Sequence, residues 1–437
     1  MRRVAVSGLF VAALAASACG SDDTAAPATT LVTVQGQVVE NTVPAVDATI
    51  YATDHEQIAA ALADASLFPT PAAILADGTG HFGLYGFGAS YDLVIFPVDA
   101  PRNATVVQNL TRRDPTIGLP LPANADLHTC HIATTWTTPP PAGASIAYFL
   151  QGGPSYPGVE LVSVVPVDSN IADGLTATWR GSFSTTANIG ALAYLKDPTT
   201  NLPTNYVGFS STYAFLIDQR STQVSISLQT TKTSSVAANF QLPSGYSVES
   251  VDVSVDLNGG AAGSTSFDLA HFESPTGTLS VNVPDLFDNR VLVRGTAQNG
   301  AVTSSAAAVV VAYPATTSNA TLTFPTASDL VAPADGSATV DPSTTFSFNG
   351  AGVNEVIFSS TDAGAPTLRV VTSAQSFTLG QFLGLENAAI PAGAHYTWST
   401  RRWPDFATVD PFEDTNVDLP NANNAQSASR SFTFASP

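Results

Sequence analysis

The stretch VQGQVVENTVPAVDATIYA, residues 34–52, decides the fold. Val34, Gly36 and Val38 alternate with Gln35 and Gln37, the period of two that sends neighbouring side chains to opposite faces of a strand. Val39 and Glu40 follow, and after Pro44 a second strand forms at Ala48, Thr49, Ile50 and Tyr51. Downstream, Asp77-Gly78 is a hairpin turn signal. Phe82 and Leu84, then Tyr91, Leu93 and Ile95, line the next two strands.

Composition extends this pattern to the whole chain. Of 437 residues, 44% are hydrophobic and only 11% charged, and 31 Gly and 30 Pro punctuate a sequence rich in Thr, Ser, Val and Ala. Such a chain favours short strands joined by turns. At roughly 100–150 residues per domain, three or four domains are expected.

Three pieces of the first domain, VQGQVVENTVPAVDATIYA, ADGTGHFGLYGF (76–87) and ASYDLVIFP (89–97), resemble the carboxypeptidase-regulatory-like family of transthyretin-like β-sandwiches. In that family they are the opening strand pair, the Asp-Gly hairpin and the closing Tyr-containing strand. The resemblance spans 33–122 and implies a non-catalytic folding or display module. It departs at Thr42-Val43, where the first hairpin lacks Asn-Gly or Asp-Gly, and at His55 to Ser66, an Ala-rich insertion suited to a short helix. Residues 126–231 and 233–326 read as two further β-sandwiches. Each carries an alternating strand ending in Gly-Gly (IAYFLQGG; VDVSVDLNGG) and a Thr-rich closing strand (VSISLQTT; ATLTFPT). Residues 328–437, with LVAPADGSATVDPSTTFSFNG and the later Tyr396-Thr397-Trp398, resemble fibronectin type III-like domains of bacterial surface proteins, with Phe348 where Trp is more usual. The expected fold is therefore all-β, a tandem of Ig-like, transthyretin-like and fibronectin type III-like sandwiches.

The chain opens MRRVAVSGLFVAALAASACGSDD. Arg2 and Arg3 precede an apolar run from Val4 to Ala16, too short for a membrane span of roughly 20 residues. Small residues then lead to Cys19. This resembles a bacterial lipoprotein signal, with Ala16 where Leu is usual. The resemblance implies removal of residues 1–18, acylation of Cys19, and a flexible tether over 19–32. Because Gly20 rather than Asp follows the cysteine, it also implies the outer membrane.

The net charge is −20, or −22 once the two leader arginines are gone (13 basic against 35 acidic). Phosphate backbones repel such a surface, which argues against nucleic acid as a partner. With Cys19 acylated, Cys130 is left alone and no internal disulfide forms.

Chemical motifs are few. Gly78-Thr79-Gly80-His81-Phe82-Gly83 fits GxGxxG, but strand alternation follows it where a phosphate site needs a helix N-terminus. His55-Glu56 begins HExxH, yet Ala59 takes the second ligand's place. His128 and Cys130 share one strand face, which continues into Ile132, Thr134 and Trp136, so Cys130 reads as core. Asp414, Asn416 and Asp418 have the opening spacing of a calcium loop, with Glu413 and Asp410 nearby. Leu419 and Ala425 stand where that loop needs Gly and Glu, and no other cofactor is indicated. Arg401, Arg402 and Trp403, in RRWPDF, combine the residue types that dominate binding hot spots and stack on sugars, and Tyr156 in GGPSYPG is a weaker case. No GxSxG, SxxK or phosphate-binding loop occurs.

The sequence thus predicts a non-enzymatic, lipid-anchored envelope protein presenting β-sandwiches to a glycan or an envelope protein. The alternatives are a purely structural spacer or scaffold, and a secreted hydrolase with a cryptic site.

Overall fold

The computed structural model describes residues 32–40, 43–55, 73–98, 100–119, 127–152, 159–166, 173–181, 183–200, 202–256, 266–285, 290–311, 317–411 and 422–435. Among them the protein is all-β, in 31 strands, and helix is confined to short turns such as the 3-10 turns Leu379–Gln381 and Leu385–Ala388. The Cys19 leader and all but the first residue of the His55 to Ser66 insertion lie outside these residues.

The strands fall into four sandwich modules. Module one holds β1 (Val32–Glu40), β2 (Val43–Pro44), β3 (Thr49–Asp54), β4 (Ala73–Leu75), β5 (His81–Phe87), β6 (Tyr91–Phe96), β7 (Ala104–Leu110) and β8 (Thr116–Leu119). Module two holds β9 (Leu127–Thr138), β10 (Ser145–Gly152), β11 (Val159–Pro166), β12 (Asp173–Gly181), β13 (Ser184–Lys196), β14 (Pro203–Ile217) and β15 (Arg220–Ser227). Module three holds β16 (Lys232–Gln241), β17 (Ser247–Asp256), β18 (Ser266–Glu273), β19 (Leu279–Asp285), β20 (Arg290–Asn299), β21 (Val302–Val311) and β22 (Thr317–Thr323). Module four holds β23 (Leu330–Ala332), β24 (Ser337–Val340), β25 (Thr345–Phe348), β26 (Val353–Ser359), β27 (Leu368–Thr372), β28 (Ser376–Thr378), β29 (His395–Trp403), β30 (Asn424–Gln426) and β31 (Arg430–Phe434).

One closure recurs in all four. A strand near the start of each module pairs in parallel with its last strand: β1 with β8, β9 with β15, β16 with β22, and β24 with β31. The remaining neighbours within each module are antiparallel. Each sandwich is thus fastened where its chain enters and leaves.

The modules are also joined edge to edge. The order β18-β17-β20-β21-β30-β29-β26-β27-β7-β6-β3-β4 is one continuous sheet through modules three, four and one. Its joints are β21 with β30, antiparallel at Thr303 to Ser305, and β27 with β7, parallel from Leu368↔Ala104 to Val371↔Val107. Pairing edges with one another removes the unpaired ladder groups that make free edges a liability. Modules one and four also share cores. Val94, Phe96, Ala104 and Val106 pack with Phe346, Phe358, Phe382 and Trp398, while Val353, Val371, Trp403 and Val409 pack with Val34, Ile50, Leu93 and Ile117. Every residue of β6, YDLVIF, is accordingly buried, as a strand covered on both faces must be.

Module two meets module three through Tyr206, which lies in the third module's core. Its hydroxyl donates to Asn282 O (3.1 Å), and its amide donates to Thr233 Oγ1 (2.8 Å). Burial holds the Tyr206 phenol well above its usual pKa. Among the described residues no helix is long and apolar enough to cross a membrane.

One local expectation is corrected. Asp77-Gly78 makes a tight turn, in which Asp77 Oδ1 accepts from the amides of Thr79 (2.8 Å) and His81 (2.9 Å). It is not a hairpin, because β4 pairs with β3 and β5 with β1, so the turn carries the chain from one sheet to the other.

Candidate functional site

The RRWPDF segment sits at a joint inside the molecule. Trp403 ends β29 with 4% exposure, in the core of module one, so its ring offers no face to a sugar. Arg401 lies over that ring at 5.8 Å, with Nη1 3.8 Å from Glu355 Oε2. Arg402 donates from Nε to Ala351 O (2.7 Å) in the β25–β26 turn and from Nη1 to Thr326 O (3.0 Å), the second bond stapling β29 to the segment that links modules three and four. The composition of a binding hot spot is present because an interface is present, and that interface is internal.

Asp410 is also spent on a joint. Its Oδ1 accepts from the amides of Thr111 (2.7 Å) and Arg112 (2.8 Å), and its Oδ2 accepts the Thr111 hydroxyl. Tyr156, Asp414, Asn416, Asp418 and Cys19 lie outside the described residues. Among those described, no cluster of His, Cys, Asp and Glu could hold a metal ion.

Cys130 is buried in the second module's core with Ile132 and Trp179, and desolvation raises its thiol pKa. Its neighbour His128 packs on the Trp179 ring at 5.7 Å, with Nδ1 3.3 Å from Asp218 Oδ2, while His131 points to solvent. The GTGHFG segment runs into β5 rather than a helix, so it presents no phosphate cradle.

Histidines pair with aspartates in every module. His55 Nδ1 lies 2.7 Å from buried Asp92, and His271 Nδ1 lies 2.6 Å from Asp252. His395 Nδ1 lies 3.0 Å from Asp362, in a surface groove of about 290 Å³ that also holds Ser360, Thr397 and Ser431. Ser, His and Asp thus meet, as a hydrolase would need. The Ser360 hydroxyl, however, donates to the His395 backbone carbonyl at 2.6 Å and accepts from the Asp362 amide at 3.1 Å. It is not hydrogen-bonded to the imidazole that would have to activate it.

A second groove, of about 610 Å³, opens on module three where β16, β17 and the β18–β19 turn converge. Phe240, Tyr246, Leu242 and Pro275 give it apolar walls. Asn239, Ser247, Ser274, Thr276 and Thr278 give it neutral hydrogen-bonding groups. The Thr278 hydroxyl donates to Asn239 Oδ1 (2.8 Å), which fixes the amide in the groove wall. Tyr246 follows a tight turn closed by its own amide on Pro243 O (3.2 Å), and Gly277 makes the opposite turn at φ +76°. No lining residue among those described carries a charge, on a chain whose net charge is −20. Sequence reading missed this groove because Phe240 and Tyr246 stand in separate, unremarkable strand ends.

No known protein family matches the chain, and no curated protein matches its sequence. Similar solved structures include the full-length major pilin SpaD from Corynebacterium diphtheriae, at 7% identity and TM-score 0.17 over 67% of this chain and 97% of that one. A DUF3823 family protein from Parabacteroides merdae has 8% identity and TM-score 0.15, over 61% and 91%. The shaft pilin spaA from Lactobacillus rhamnosus GG has 8% identity and TM-score 0.16, over 70% and 100%. These values lie far below those at which shared function follows from shared shape.

Proposed function

We propose that this chain is a non-enzymatic cell-envelope protein, lipid-anchored at Cys19 and directed to the outer membrane, whose fused sandwiches present a binding site for a neutral glycan. The observation that carries this is the uncharged, aromatic-walled groove around Tyr246 and Phe240. Pyranose rings have apolar C–H faces that rest on aromatic carbons and hydroxyl rims that seek neutral donors and acceptors, and the groove supplies both. Its volume falls within the usual range for small-ligand sites. A glycan array read with wild type and Tyr246→Ala tests it. Binding to neutral glycans, weakened about tenfold or more in the variant, is expected. Equal binding by the two proteins, or none by either, would count against the groove.

The anchoring half is tested separately. A fatty-acid analogue should label the protein, and Cys19→Ser should abolish the label. A wild type that takes up no label would remove the anchor. A purely structural role has support in the continuous sheet, which makes modules three, four and one a stiff plate. An envelope defect on deletion, with no glycan bound, would favour that role. Turnover in a hydrolase screen would revive the third alternative.

A further inference from the structure

The geometry points to a second glycan surface, on module one: the outer face of β1 and β5, with the ring of Tyr85 as a stacking platform for a flat, neutral β-linked polysaccharide. Tyr85 is 74% exposed. Its ring lies over Gly83 two residues back on the same face. A Cβ built at Gly83 would stand 3.4–3.6 Å from the Tyr85 Oη, Cε2 and Cζ atoms. The hydroxyl end of the ring therefore rests above bare backbone, and most of the side chain is open to solvent.

Polar partners stand beside it in register. Gln35 is opposite Gly83 and Gln37 is opposite His81. The Gln37 amide is held by donation from Nε2 to Thr79 O (3.0 Å), and the Thr79 hydroxyl lies 2.9 Å from His81 Nδ1. Same-face residues on a strand recur at about 6.6–6.8 Å, so His81 and Tyr85 span about 13 Å, a straight run rather than a pocket. A platform already held in place costs little ordering entropy when a ligand settles.

Gln35 and Gln37 are uncharged, and the exposed Asp77 carboxylate, which accepts the Thr79 hydroxyl at 2.7 Å and lies 4.0 Å from His81 Nδ1 at one end of the run, repels anionic chains. The flatness selects a polymer whose sugars carry equatorial substituents, because those leave the C–H faces of each ring uncovered. A peptide strand would instead add along the edge of β5, which among the described strands pairs only with β1, through backbone hydrogen bonds that do not depend on the Tyr85 ring. This surface is independent of the Tyr246 groove, and both together would let one molecule grip two chains or one chain twice.

Pull-down on microcrystalline cellulose and on chitin, with titration of the matching soluble oligosaccharides, tests this on the intact protein. Wild type should bind at least one series. Tyr85→Ala should weaken it about tenfold or more, Tyr85→Leu nearly as much, and Tyr85→Trp should hold or strengthen it. Gln37→Ala should fall between. Because Tyr85 is exposed, melting temperatures should stay together and separate lost binding from lost folding. Tyr246→Ala serves as the control. Loss there with none in Tyr85→Ala would overturn the platform and leave the groove standing. Loss in Tyr85→Ala alone would do the reverse. No binding by wild type to either polysaccharide would overturn the platform outright.

Discussion

Trp403 shows how much one side chain decides. Its ring fills the core of module one from a strand of module four, so Trp403→Ala removes packing on both sides of the joint. Denaturant unfolding should show a loss of about 3–5 kcal/mol, with glycan binding per folded molecule unchanged. If the variant were as stable as wild type and lost binding instead, the ring would belong to a site after all. Thr372 and Gln108 make a second such contact across the joint. Both are buried, and the Thr372 hydroxyl donates to Gln108 Oε1 at 2.6 Å. Thr372→Val keeps the shape and strands the amide, for an expected cost of about 1–3 kcal/mol in the same measurement. Gly384 is the backbone counterpart. It adopts φ +91°, and a Cβ there would stand 2.5 Å from Cγ of Tyr51 in module one. Any L residue meets both the strain and the ring.

Among the elements, β6 and β7 show what the sequence discloses and what it hides. Period-two reading finds Tyr91, Leu93 and Ile95, because one face of a strand is enough to call it. Val94 and Phe96 between them carry a second message, an unbroken apolar run that marks burial on both faces. They show that β6 has a second neighbour without naming it. That neighbour is module four, more than 250 positions along the chain, and no local signal encodes a parallel pairing of that reach. Turn chemistry is more local and more legible. Asp77, Asp197, Asp335 and Asp341 each accept backbone or hydroxyl hydrogens within a turn or a strand contact, with Ser431 the partner of Asp335. Those bonds hold each carboxyl below the usual carboxylate range. A depressed folded-state pKa contributes stability that is complete above the unfolded value and is lost as pH falls through the folded one. These four groups should therefore leave stability level from neutrality to about pH 4 and erode it below. Melting followed from pH 7 to pH 2, wild type against Asp341→Asn, should show a smaller acid loss in the variant. Identical acid limbs would sink that assignment.

At the scale of the molecule, contacts join the four modules in the order two, three, four, one. Module two touches three, three joins four, and four joins one, through the contacts of Tyr206 and the two strand joints. Leu119 and Leu127 are eight positions apart, so the connection from module one back to two reaches at most about 29 Å. Sequence reading expected sandwiches in chain order. The contacts between first and last were beyond it, because the residues that make them look like ordinary core. If the Tyr246 groove and the Tyr85 face both bind glycans as proposed, a body joined in this way would hold them at a fixed separation, whereas flexible beads would let them wander.

Hydrogen exchange on the intact protein, wild type against Gly384→Ala, tests this joining most directly. The substitution lies in module four. If modules one and four are one cooperative unit, amides of Tyr91–Phe96 and Ala104–Leu110 in module one should lose protection in step with Leu368–Thr372. Faster exchange confined to residues 330–434, with module one as protected as in wild type, would contradict it.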